Sequence, residues 1–226
     1  MNQLSTWCAL ALTAISAPAA TINWSATPAP GYGFDQTSGI DLPVGSLLRV
    51  GTFNISDTLI AQNAFDVSYL NANFVEAGFT TIGTGIAGNP KDGFFTATSN
   101  YNAVTTALTG RQVYLWVFKS STDTNPGTSL ASATEIGIFY MPFADDPDWA
   151  FPADAPAFPT TVAVADLVGP SDVIRPQAKL VVGTYGPGNS GLTGKKNFTL
   201  STVPEPGSAL LALGGSLLLL ARRQRR

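Results

Sequence analysis

The chain contains no histidine, and its one cysteine, Cys8, lies close to the N-terminus. Without histidine or a second thiol there is no Ser–His or Cys–His nucleophile pair, no disulfide, and no zinc or copper site built from His and Cys. Charged residues are only 12% of the 226, too few and in too apolar a context for a disordered chain. No apolar run reaches the roughly 20 residues of an ordinary membrane-spanning helix. Nor is there a repeat of fixed period, which argues against a solenoid or propeller. What is plentiful is turn chemistry: 22 glycines and 16 prolines are too many for a helix bundle and point to a β-rich domain.

Charge is unevenly distributed. Four of the twelve basic residues close the chain, and between Ala20 and Thr202 eight Lys/Arg stand against fourteen Asp/Glu, a net charge of −6. An acidic surface without a basic, aromatic-interleaved patch repels nucleic acid, which is excluded as a partner. Lys195-Lys196 reads as solvated loop charge.

Residues 1–20 have the pattern of a secretory signal peptide. Trp7 to Ile15 forms a compact apolar stretch, and Ala17-Pro18-Ala19-Ala20 supplies small residues for signal peptidase, with cleavage expected after Ala19 or Ala20. The segment before the apolar stretch carries no Lys or Arg. Cys8 precedes the cut and is discarded with the leader.

Residues 21–202 read as one exported domain. Strands are expected at Thr21–Trp24, Leu47–Phe53, Phe74–Ile82, Gly93–Thr98, Gln112–Lys119, Thr134–Met141, Thr160–Ala165, Ala178–Tyr185 and Asn197–Thr202, each β-branched or aromatic and bounded by Gly, Pro, Asn or Asp. One short helix is expected from a Ser56 or Asp57 cap to about Leu70, with Leu59, Ile60, Phe65 and Tyr69 near helical spacing. Strands without intervening helices exclude a parallel α/β architecture and predict an all-β, antiparallel β-sandwich or jelly-roll-like domain. Within Gln112–Lys119, alternation puts Val113, Leu115 and Val117 on one face and Tyr114, Trp116 and Phe118 on the other. Neither face is polar, so this strand should be central.

Several residues invite a chemical reading. Gly83-Thr84-Gly85-Ile86-Ala87-Gly88 spells G-x-G-x-x-G, but Asn89-Pro90 follows where a dinucleotide site needs a helix N-terminus, and a turn is the better reading. Asp145, Asp146 and Asp148, with Asp154 beyond, form the densest carboxylate cluster and are a weak Ca²⁺ candidate; their spacing matches no known calcium loop. The same carboxylates could serve glycoside hydrolysis, which needs no histidine, but Glu76 and Glu135 stand isolated and no second acid is paired with them. Trp24, Trp116 and Trp149 could stack on sugar rings or fill the core. Asn23, Asn54 and Asn197 open formal glycosylation sequons that read as chance matches. No cofactor is expected.

The last residues are the most informative. Val203-Pro204-Glu205-Pro206 is followed by an apolar run from Gly207 to Ala221 and then by Arg222, Arg223, Gln224, Arg225 and Arg226. As a helix the run would be roughly 22 Å long, short of a hydrocarbon core of about 30 Å. The arginines would hold the C-terminus in the cytoplasm and leave the preceding domain outside. Two prolines around Glu205 favour an extended backbone for a processing enzyme. These residues resemble the PEP-CTERM sorting signal of Gram-negative bacteria, and the strand pair Gly110–Val117 and Thr134–Phe139 looks like the core of other proteins carrying that signal. The resemblance implies an exosortase as partner, a transient anchor in the inner membrane at residues 207–221, and delivery to the cell surface or extracellular matrix. With no histidine, no cysteine beyond the leader and no convincing catalytic pair, the exported domain is expected to be non-enzymatic and to work among exopolysaccharide. A carbohydrate-binding or glycan-cleaving module on the same scaffold is the alternative.

Overall fold

The computed structural model describes residues 19–88, 91–102, 107–119, 130–152, 159–186 and 196–204. The expected leader up to Pro18, Asp154, Lys195, Glu205, Pro206, the apolar run and the arginines lie outside the described residues. Those described form a mostly β structure with largely antiparallel sheets. In chain order the elements are β1 (Ala19–Ala26), β2 (Phe34–Asp35), β3 (Leu47–Phe53), α1 (Asp57–Gln62), α2 (Val67–Ala72), β4 (Phe74–Thr81), β5 (Phe95–Asn102), β6 (Tyr114–Lys119) and β7 (Glu135–Tyr140). They continue as β8 (Thr160–Ala163), β9 (Val168–Gly169), β10 (Val173–Ile174), β11 (Lys179–Val182), β12 (Thr184–Gly186), β13 (Asn197–Thr199) and β14 (Ser201–Thr202), with short 3₁₀ turns between some of them.

The largest sheet runs β11-β7-β6-β3-β4, and β14 joins the same edge of β7 that β11 occupies further along. Strand β6 is central, as its two apolar faces require, and Tyr114 to Phe118 are all buried. On one face, Tyr114, Trp116 and Phe118 meet Phe53 and Phe74 in a chain of tilted and edge-on ring contacts, which adds directional attraction to area burial. On the other face Phe139, aligned with Leu115, stacks on Phe34 of β2 and edges Phe198 of β13. Phe34 also stacks on Phe95 of β5, which in turn meets Trp24 of β1. That side is covered by a β5-β1-β8 sheet and a β12-β13-β2 sheet.

The two helices lie over the aromatic face. Ser56 caps α1 by accepting from Leu59 N at 3.4 Å, and Asp66 caps α2 by accepting from Tyr69 N at 2.9 Å. The sequence predicts one helix here, and the structure breaks it between Asn63 and Asp66. Asn63 and Asp66 turn their side chains onto local backbone, an alternative to continuing the helix that these residue types readily take. The break changes the phase, so Ile60, Val67 and Leu70 are buried while Phe65 and Leu59 are exposed.

Two other expected strands are divided. Ala178–Tyr185 splits at Gly183, whose φ of +107° glycine adopts without strain, so that β11 pairs β7 and β12 pairs β13. Asn197–Thr202 splits at Leu200, and β13 pairs β12 and β2 while β14 crosses to β7. The crossings are adjacent: a Cβ on Gly183 would lie 2.7 Å from the carbonyl oxygen of Thr199.

Candidate functional site

The last strands carry the chain to the Pro-Glu-Pro segment. Phe198 is fully buried and its N–H donates to Gly33 O at 3.0 Å; Leu200 N donates to Asp35 O at 2.9 Å. Next, β14 adds to β7 with Ser201 opposite Ile136 and Thr202 opposite Glu135. Val203 N closes the ladder on Thr134 O at 2.8 Å, its side chain is half-buried against the core, and Pro204 is exposed. The backbone is therefore held up to Val203, and Pro204, which has no N–H to donate, is the last of the described residues.

Beside this exit sits Glu135, whose carboxylate is held by Lys119 Nζ at 2.7 Å and by Thr37 N at 2.6 Å. Burial pushes its pKa up, but the ammonium and the N–H together bring it below the usual carboxylate range. The contact ties the turn after β2 to β7, the strand against which Thr202 is paired. Glu76, the other isolated acid of the sequence, pairs with Arg49 at 2.5 Å. Both acids are bound to cations rather than facing one another across a cleft, so they do not form the carboxylate pair that a glycosidase needs.

The remaining sequence candidates separate as follows. Ala19 and Ala20, the expected cleavage positions, are the first residues of β1 and align with Asn102 and Tyr101; cleavage there would start the mature chain inside the strand. The G-x-G-x-x-G segment is the turn joining β4 to β5, with positive φ at Gly83, Gly85 and Gly88. Asp146 accepts from Asp148 N at 3.2 Å and caps the 3₁₀ turn Pro147–Trp149. Among the described residues no three His, Cys, Asp or Glu side chains are grouped to hold a metal ion, so Asp145, Asp146 and Asp148 do not converge on a calcium site there. Trp24, Trp116 and Trp149 are fully buried, and the sugar-stacking alternative loses the rings on which it rested. Asn197 is buried with both ends of its amide engaged, a position closed to glycosylation. Among the described residues no helix is long and apolar enough to cross a membrane.

Two polar groupings were not legible in the sequence. Asp57, the first residue of α1, accepts from the hydroxyls of Tyr114 (2.9 Å) and Tyr140. Burial, with the neighbouring carboxylate, raises the pKa of both tyrosines, so both hydroxyls stay protonated as donors. An open cleft of about 320 Å³ beside them is lined by Asp57, Thr58, Ala61, Lys179, Leu180 and Val181. The second grouping is Asp35, Asp41 and Asn197. The Asn197 amide donates to Asp35 Oδ1 at 2.8 Å and reaches Asp41 Oδ1 at 3.4 Å. Burial pushes the Asp35 carboxyl up to about 7, and raises Asp41 as well. No spacing or composition marks these three residues, because Asn197 comes from a part of the chain distant from the two aspartates.

No curated protein and no solved structure matches this chain. A family model does match its end: residues 202–226 fit the PEP-CTERM protein-sorting motif, beginning at Thr202, the last residue of β14. The chain thus carries at its C-terminus a PEP-CTERM sorting signal, consistent with an exosortase substrate and implying an exported, membrane-transiting protein.

Proposed function

We propose that this protein is a non-enzymatic cell-surface or extracellular-matrix component. It is exported by signal peptidase cleavage after Ala19 or Ala20, held in the inner membrane by residues 207–221 with Arg222, Arg223, Arg225 and Arg226 in the cytoplasm, and processed by an exosortase at Val203-Pro204-Glu205-Pro206. The exported part is a β-sandwich module that works among exopolysaccharide as an interaction or coat domain. One observation carries the reading: among the described residues sheet pairing runs no further than Val203, so a cut beyond Pro204 leaves every strand from β1 to β14 intact.

The sandwich reading is supported by the two covered faces of the large sheet. The non-enzymatic reading is supported by the engagement of Glu76, Glu135 and Asp57 in bonds to Arg49, Lys119 and two tyrosines. Two measurements test the proposal. Intact mass of the extracellular protein should correspond to a chain trimmed at both ends, and Glu205→Ala should leave a full-length, membrane-retained form. Normal release of Glu205→Ala protein would refute exosortase-dependent processing.

A further inference from the structure

Asp35 lies where a charge is hardest to keep. It is fully buried, and its Oδ2 has no donor within reach. The ionisable group facing it is Asp41, across an isolated antiparallel bridge between the two residues; Asp41 in turn faces Asp35 and Asp92. Among the described residues no cation pairs with them. Lys91 and Lys196 adjoin Asp92 and Asn197 in sequence, but the ion pairs among the described residues are Arg49–Glu76 and Lys119–Glu135. Two carboxylates in contact cannot both ionise in a buried site without a compensating positive charge.

Either a metal ion or a proton could fill that role, and the surrounding atoms favour the proton. A hard cation such as Ca²⁺ takes six to eight oxygen ligands. Here Asn197 turns its NH₂ toward the carboxylates, because its Oδ1 is taken by Gly33 N at 3.1 Å. The nearby carbonyls are also occupied: Phe34 O by Leu42 N, Leu42 O by Gly93 N, Gly93 O by Phe34 N, Asp35 O by Leu200 N and Asp41 O by Gln36 Nε2. Each carbonyl keeps only one lone pair free, the amide presents donors, and among the described residues no third carboxylate joins the pair to hold a metal ion.

We propose that Asp35 and Asp41 share one proton, and that this singly protonated pair is a pH-sensitive latch on β13, the strand that leads through β14 into the sorting tail. The mechanical link is short. Asn197 bonds the pair through its side chain, Leu200 N bonds Asp35 O, and the next two residues form β14. When the shared proton leaves to solvent, two facing carboxylates remain behind Asn197, and β13 and β14 are the segments that loosen. The latch stands on the domain alone; only its consequence for tail presentation rests on the sorting reading.

Asp35 is raised from 3.8 to about 7 in the fold, so between those values the folded state keeps a proton that the unfolded chain has lost. Stability is then fully present below pH about 4 and falls as pH rises through about 7, by up to tenfold in the folding constant per pH unit. The test uses the full-length protein and its Asp35→Asn and Asp41→Asn variants, with thermal unfolding and amide exchange, corrected for intrinsic rates, at about pH 5 and about pH 8.

Wild type should lose about a hundredfold in folding constant over that interval. Protection at Phe198 and Leu200 should fall more than at Leu115 of β6. The Asp35→Asn protein, which keeps a neutral group of the same shape, should show neither loss. If that variant does not fold, Asp41→Asn and carboxyl ¹³C titration of wild-type Asp35 carry the test. An Asp35 carboxyl that titrates at its ordinary value, or identical pH profiles for wild type and variants, would overturn the latch. Stabilisation of wild type at pH 8 by millimolar Ca²⁺ and its reversal by EDTA would also overturn it, by assigning the pair to a cation.

Discussion

Arg49 offers a test of how the aromatic face is held together. Its guanidinium lies 4.8 Å from the Phe74 ring centroid and 5.1 Å from that of Trp116. Nε bonds Glu76 at 2.5 Å and Nη1 bonds Asn71 Oδ1 at 2.7 Å. The Arg49 side chain is 6% exposed and that of Glu76 27%. Replacing Arg49 by Leu strands a half-covered carboxylate, removes the donor to Asn71 and ends both ring contacts. Removing one member of a buried pair costs about 3–5 kcal/mol, and water at Glu76 places this case near the lower end, about 3 kcal/mol. For a domain of this size each kcal/mol moves Tm by about 2–4 °C, so Arg49→Leu should melt roughly 6–12 °C below wild type. The diagnostic comparison is Arg49→Leu with Glu76→Leu. Because the double variant leaves no stranded charge, it should be more stable than the sum of the two single losses by at least about 1 kcal/mol. Urea unfolding of the four proteins measures that coupling. Additive losses, or a drop below about 2 °C for Arg49→Leu, would show that the guanidinium is solvated or paired elsewhere.

Other substitutions probe the sheet crossings and the tail exit. Gly183→Ala should cost at least about 2 kcal/mol, from positive φ in a residue with a Cβ and from the close approach to Thr199 O; unchanged Tm would mean that the crossing is not tight. Tyr140→Phe removes one of two hydroxyl donors to Asp57 and should cost about 1 kcal/mol in chemical denaturation, with no change in fold; a loss of secondary structure by circular dichroism would contradict that. Glu135 has a lowered pKa, so its contribution is present above the ordinary carboxylate range and is lost as pH falls through the folded value. Glu135→Gln should therefore be less stable than wild type near pH 7 and approach it at low pH. A gap of constant size across that range would argue against the Lys119 pairing.

Much of the architecture can be read from the chain because alternation and turn residues act locally. Leu47–Phe53 forms a strand with the expected bounds, and Gln112–Lys119 is central because Tyr114, Trp116 and Phe118 leave it no polar face. What was not legible involves competition between neighbours. Asn63 and Asp66 interrupt a helix whose apolar spacing continues through them, and Gly183 and Leu200 divide strands that look continuous. Whether the three tryptophans bind sugar or fill the core depends on which elements cover them, and β1, β6 and the turn at Trp149 are all covered. Asp35, Asp41 and Asn197 are the extreme case, since no window contains all three.

The tail was decided by sequence alone. A Pro-Glu-Pro motif, an apolar run and an arginine cluster act through composition and order, which a linear reading preserves. The exclusions drawn from the absence of histidine and of a second cysteine have the same character, because they depend on atoms the chain does not contain. Only tertiary structure decided that sheet pairing carries the chain as far as Val203, that Glu135 is neutralised beside the exit, and that two aspartates six residues apart face one another under an asparagine from the C-terminal strand. Those arrangements depend on desolvation and on contacts between distant residues, and neither exists until the sheets close.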